Sequence, residues 1–290
     1  MTGLLVDVGR RLAERWLSVL VLPGLLLVAV VATGLLLDPA DALSVRELAR
    51  AATAAARRIQ ADGGATLLLT AAVALLAAGA AGLAAQGLGR AVRAVWLGDW
   101  PRWAGPARRR LVARRARRWQ EGQSAVEAAV RAGRDPAPAA ARRNAVALAP
   151  PVRPTWTGDR LAGADVRIHA EYRLDLASCW PRLWLVLPED VREELRAASG
   201  AFEAAGVLAG WAVLYGLAAL VWWPSAVAFL VVYATALYRG RGAAADLADL
   251  VEAVVDVHGT ALCEALGLGP ATVLTPELGA AVTARCRKGA

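Results

Sequence analysis

The chain has 290 residues, 57% of them hydrophobic, with a mean hydropathy of +0.42 and a formal net charge of +8. Soluble domains run nearer about 45–50% apolar, so the excess argues against a wholly soluble globule and for membrane-spanning helices. The three cysteines, Cys179, Cys263 and Cys286, are odd in number and far apart without a C-x-x-C pair. That spacing supports neither a disulfide framework nor a zinc site and leaves reduced structural thiols.

The expected fold is all-α: a multi-pass integral membrane protein with about four transmembrane helices and a helical cytoplasmic domain. Residues 1–15 form a basic amphipathic N-terminus. The first span is Trp16–Leu37, which is free of charge and has a kink expected at Pro23 and Gly24. It is longer than the apolar core of a signal peptide, about 7–15 residues, so it reads as a span although "ADA" at Ala40–Ala42 imitates a cleavage site. An external loop, 38–64, holds one helix. Ser44 and Glu47 have capping-box spacing, and Val45, Leu48, Ala52, Ala55 and Ile59 fall on one face. That helix is expected to lie across the outer ends of the spans.

The second span, Ala65–Gly89, is rich in alanine and glycine. Ala78, Gly79 and Gly82 are its expected helix-packing positions, because small residues let backbones approach where water drives no association. The cytoplasmic region, 90–203, opens with "WLGDWPRWAGPARRRLVARRARRW", Trp96–Trp119. Trp96, Trp100 and Trp103 suit the membrane–water interface. Arg108, Arg109, Arg110, Arg114, Arg115, Arg117 and Arg118 suit an anionic leaflet, at roughly 1 kcal/mol per basic residue. Val112, Ala116 and Trp119 make a narrow apolar stripe, so this helix is expected to lie on the membrane. The same arginines would serve nucleic-acid phosphates, but no nucleic-acid-binding fold pattern accompanies them, and nucleic acid is not an expected partner.

Five prolines between Arg131 and Thr155 predict an extended linker. A helix over Thr157–Arg173 follows, with Thr157 as its cap. In Asp175–Pro188, residues Trp180, Leu183, Trp184 and Leu187 share a helical face. They suit the core of a small bundle, an interfacial segment or a docking patch, and they are the candidate partner surface. Pro188, Glu189 and Asp190 suit a helix first turn, and Val191, Leu195, Ala198 and Phe202 carry its stripe forward.

Residues 204–238 predict a helical hairpin: Ala204–Trp223, then Pro224, then Ser225–Tyr238. The second arm is short, about 21 Å at 1.5 Å per residue. Either Arg239 and Arg241 snorkel to lengthen it, or the hairpin is re-entrant. The C-terminal region, 239–290, repeats Leu247, Val251, Val254, His258 and Ala261 or Leu262 at helical spacing. Gly267 ends that helix, and Thr275 and Pro276 start another.

Arginine bias sets the orientation. Arg10, Arg11, Arg15, Arg90, Arg93, Arg102, the run Arg108–Arg118, Arg239 and Arg241 fall on one side. Only Arg46, Arg50, Arg57 and Arg58, balanced by acids, fall on the other. Both termini and the middle region are therefore expected in the cytoplasm of a bacterial cell.

No catalytic set converges. His169 and Glu171 form H-x-E without the partner P-C-x-x-C of zinc deaminases. His258 lies on an apolar stripe, as a core histidine would, and Cys263 lacks a base. The predicted spans hold no Asp, Glu, Lys, Arg or His, which argues against an ion-coupled transporter. Neither an enzyme nor a cofactor is expected.

The segment "RPTWTGDRLAGADVRIHAEYRLDLASCWPRLWLVLP", the hairpin, and "LADLVEAVVDVHGTALCEALGLG" resemble a group of uncharacterised actinobacterial multi-pass membrane proteins. The resemblance covers most of the chain and implies the same membrane layout, with no site residue to carry over.

Two functions fit these readings. In the first, the chain is a non-catalytic membrane protein that anchors or signals through its cytoplasmic helices, with the anionic leaflet and a cytosolic protein as partners. In the second, it is a pore or membrane-perturbing effector gated by the cytoplasmic domain. That pore would be a homo-oligomer lined by Gly, Ala, Thr70, Gln86 or backbone.

Overall fold

The structure, a computed structural model, describes residues 21–61 and 63–288. The expectations placed on residues 1–20, on Asp62 and on the side chain of Ile59 lie outside the described residues. The described residues are helical, with no strand among them. The helices are α1 (Leu22–Leu36), α2 (Val45–Ala61), α3 (Gly64–Leu97), α4 (Gly105–Arg131), α5 (Ala137–Val146), α6 (Trp156–Tyr172), α7 (Leu176–Val186), α8 (Glu189–Ala218), α9 (Ser225–Ala265) and α10 (Pro276–Arg287). The chain divides into two compact units, one of residues 1–92 and 204–238, the other of residues 93–203 and 239–290.

In the first unit, helices meet through small residues. A Cβ added to Gly24 of α1 would strike the backbone of Ala78 on α3. One added to Gly210 of α8 would strike Ala85, and one added to Gly89 would come within 2.7 Å of Gly206. Ala78 and Ala85 are fully buried, and Gly82 and Gly89 are buried beside them. Their spacing of four, three and four residues keeps one face of α3 in contact from residue 78 to residue 89. Gly79 falls off this seam and has no neighbour within 4 Å of an added Cβ, which corrects its expected packing role. Leu27, Trp211 and Tyr215 fill the space around the seam.

Helix α8 stops at Ala218, earlier than the apolar run suggested, and a tight turn leads to Pro224 and α9. The buried hydroxyl of Ser225 closes that turn, shared between the carbonyls of Tyr215 at 3.1 Å and Trp222 at 2.9 Å. The Trp222 indole N–H donates to the Ala42 carbonyl at 3.0 Å. The Ser44 hydroxyl accepts from the Glu47 amide at 3.3 Å, the cap expected at the start of α2.

The outward faces of this unit are apolar. Leu68 and Leu76 of α3 are each 74% exposed, and Leu22 and Leu35 of α1 and Leu230 of α9 are also bare. Among the described residues two helical segments, beginning at Gly64 and Glu189, are long and apolar enough to cross a membrane, and only 11% of the first one's apolar window is buried. The run from Ser225 falls short of that measure because Arg239 and Arg241 follow Tyr238 within the same 41-residue helix.

In the second unit, α6, α7, α10 and the parts of α8 and α9 within it bury one core. Leu174, Leu183, Val255, Leu262, Val282, Cys179 and Cys263 are almost wholly inaccessible there. Across the surface of this bundle, Arg160 and Arg167 pair with Asp249 and Glu252. The predicted stops and starts hold at its end: Gly267 has φ +74°, and the Thr275 hydroxyl accepts from the Leu278 amide.

Replacing Gly210 by alanine is expected to destabilise the first unit by about 1–3 kcal/mol, the usual cost of overpacking. Gly79→Ala is expected to be neutral or slightly stabilising, since its added methyl meets open space. Thermal unfolding of both variants in the same detergent checks the contrast.

Candidate functional site

The arginine-rich helix α4 has two faces. Arg108, Arg109, Arg110, Arg114, Arg117 and Arg118 are exposed, as expected of a charged surface. Arg115 is not free to join them. Its Nε donates to Asp159 Oδ2 at 3.0 Å and its Nη2 to the Val146 carbonyl at 2.7 Å. Asp159 is 3% exposed at its side chain. Its other oxygen accepts from the amides of Val152 at 2.8 Å and Arg153 at 2.7 Å. A buried carboxylate needs that full set of donors.

The apolar stripe of α4 also turns inward. The Trp119 indole donates to the Ala147 carbonyl at 3.0 Å, and the Arg143 guanidinium lies 5.7 Å from the Trp119 ring centroid. The stripe packs on α5, a helix inside the stretch expected to be an extended linker. Asp135 accepts from the Ala137 amide at 2.9 Å, and Pro138 sits in the first turn, where its missing N–H costs nothing. The prolines therefore start a helix here, and α4 does not lie on a membrane by that stripe.

The three interfacial tryptophans separate. Trp103 is 84% exposed, and the half-buried Trp100 donates to the Val95 carbonyl at 3.0 Å. Trp96 is buried, with its ring 6.3 Å from that of Phe202 and against Gly240. It is a core residue and not a membrane-surface one. Arg241, expected to snorkel, instead lies 4.8 Å from the Trp156 ring centroid.

Helix α6 is capped by Thr155, not Thr157: the Thr155 hydroxyl accepts from the Gly158 amide at 3.1 Å and donates to the Trp96 carbonyl. Thr157 is buried inside the helix. Both threonines are good caps by type, and the tertiary contact with Trp96 chooses between them.

Helix α7 starts at Asp175, whose carboxylate accepts from the Ser178 amide and hydroxyl and from Arg287 of α10. Those hydrogen bonds, Ser178's first and Arg287's second, hold the Asp175 carboxyl down at about 2. The cap fixes where α7 starts, and the bundle covers only part of its apolar face. Leu183 and Leu187 enter the core, so they are not a partner surface. Trp180 and Trp184 stay half-buried, with ring centroids 6.1 Å apart and planes at 45°.

These tryptophans line a cleft of about 740 Å³ bounded by α6, α7, α8 and α9. Leu161, Leu176, Leu195 and Val251 supply apolar wall, and Asp165, Arg196, Ser199 and Glu203 are its polar groups. The Arg196 guanidinium lies 5.5 Å from the Trp184 ring centroid and donates to Glu189 at 2.8 Å. Sequence patterning misses this cleft because its walls come from helices up to 90 residues apart.

Among the described residues no three of His, Cys, Asp or Glu come together as metal ligands. His169 and Glu171 are exposed and His258 half-buried. Cys179, Cys263 and Cys286 are free and buried, and burial first, then Cys286, pushes the Cys179 thiol up to about 12. A thiol held protonated is a poor nucleophile. Compared with protein-family models, curated proteins and solved structures, the chain matches none of them.

Removing the Asp159 carboxylate leaves Arg115 and two backbone amides without their acceptor. Asp159→Ala is expected to cost about 3–5 kcal/mol, and Arg117→Ala, on the exposed face, less than about 0.5 kcal/mol. Amide hydrogen exchange over residues 105–159 checks both. Asp175 sets a pH dependence. Its folded carboxyl titrates below its ordinary range, so its stabilisation is present above about pH 4 and is lost as pH falls toward about 2. Melting temperatures of the wild type and Asp175→Asn are expected to differ at pH 5 and to converge by about pH 2.

Proposed function

We propose that the chain is a non-catalytic integral protein of a bacterial cytoplasmic membrane, with its second unit as a cytoplasmic binding region. The observation that carries this reading is the bare apolar surface of the first unit. Leucines and valines of α1, α3 and α9 face outward, and α1, residues 64–89 of α3 and residues 204–238 contain no charged residue. Water would penalise such a surface at roughly 25 cal/mol per Å², whereas lipid matches it. Four crossings, with both termini inside, agree with the arginines that flank the apolar runs.

The second unit has the opposite character. Its core is closed and its bare arginines face outward on α4. With the apolar stripe of α4 spent on α5, those arginines engage an anionic leaflet by charge alone, helped by the exposed Trp103. A cytosolic protein is the proposed partner of this unit.

The pore reading has one observation in its favour. Gly79 and Gly87 of α3 have no neighbour within 4 Å of an added Cβ, so a small-residue face is open to further copies of the chain. Expression in cells decides between the two. Under the anchoring reading, carbonate washing leaves the protein in the membrane and a dye-leakage assay stays at background, with or without residues 108–196. Leakage that Gly79→Leu abolishes would establish the pore instead.

A further inference from the structure

We infer that the Trp180–Trp184 cleft is a binding site for a small organic cation carried on an apolar body. The inference rests on reading the second unit as a binding region and names what this cleft takes. Its volume, about 740 Å³, lies within the roughly 300–1,000 Å³ of small-molecule sites. Its composition follows the same pattern, aromatic and aliphatic walls with a few polar groups.

Charge selects the ligand class. The one basic group on the lining, Arg196, is already engaged twice, by Glu189 at 2.8 Å and by the Trp184 ring at 5.5 Å. The Glu189 carboxylate offsets its charge. Glu203 has Arg93 at 3.4 Å. Asp165 makes no ion pair or hydrogen bond with any described residue. The unspent charge at the cleft is therefore negative, beside the Trp180 indole, whose face attracts cations. Arg196 over Trp184 is an internal instance of that attraction. A ligand with an apolar body would cover the Leu161 and Leu176 wall and set its positive centre at Asp165. A carboxylate or phosphate ligand would instead meet the unpaired Asp165 carboxylate.

Equilibrium dialysis of the full chain in zwitterionic nanodiscs tests this, with empty nanodiscs as the blank. The probes are tetraphenylphosphonium and its uncharged relative triphenylphosphine oxide. The expected result is saturable uptake of the cation above the blank, with weaker uptake of the neutral probe. Asp165→Asn, at an exposed position, should weaken the cation about twofold to fivefold. Ala177→Trp, which fills the cleft from an exposed position on α7, should abolish uptake. Equal uptake of both probes with no effect of Asp165→Asn would overturn the cation assignment while leaving a binding cleft. No saturable uptake of either probe would remove the cleft as a small-molecule site and leave the protein-partner reading of this unit to its own test.

Discussion

Direct backbone contact between helices is the constraint on which the first unit depends. Ala78, Gly82, Ala85 and Gly89 form one line on α3, and Gly24, Gly210 and Gly206 meet it from α1 and α8. Cohesion along this seam comes from many short dispersion contacts between surfaces that touch. A single added methyl at Gly24 or Gly210 would collide with main chain, which cannot rotate away. The glycine and alanine content of α3 is therefore a shape requirement on one face. The other faces, freed from packing, carry the leucines that meet the surroundings.

The second unit solves a different problem, the placement of many arginines near a hydrophobic core. It sorts them by partner. Arg115 is drawn inward because Asp159 and the Val146 carbonyl satisfy it there, and Asp159 in turn needs Arg115 and two amides. The remaining arginines of α4 find no such set among the described residues and stay exposed. Tryptophans are sorted in the same way. Trp96 is enclosed by Phe202 and Gly240, Trp119 finds the Ala147 carbonyl, and Trp103 is left bare.

The cleft arises from the same economy of faces. Helix α7 is apolar over more of its circumference than the core can cover. Asp175 sets its start and α10 holds Asp175 through Arg287, so Leu183 and Leu187 point into the core and the tryptophan pair borders the opening. Function is proposed from what remains uncovered: apolar helix faces in the first unit, and an aromatic cleft with an unpaired carboxylate in the second.

Much of this was legible locally. Charge-free apolar runs, the Ser44 and Thr275 caps, the Gly267 stop and the break at Pro224 follow from short-range rules of backbone geometry and hydropathy, which the sequence carries in neighbouring residues. The α5 helix was legible too, in an Asp followed by first-turn prolines, but a count of five prolines outweighed it. Other features depend on which distant element faces a residue. Periodicity shows that Trp180, Leu183, Trp184 and Leu187 share a face, but not how far a bundle covers it. Residue type makes Thr155 and Thr157 equal caps until Trp96 arrives beside one of them. Sequence by itself determined the all-helical class, the helix ends marked by Ser44, Gly267 and Thr275, and the segments that avoid charge, because these are set within a few turns of chain. Tertiary structure alone decided that Arg115, Trp96 and Leu183 are interior and that α6, α7, α8 and α9 leave a cleft. Burial and pairing belong to pairs of surfaces, and no single stretch of chain contains both.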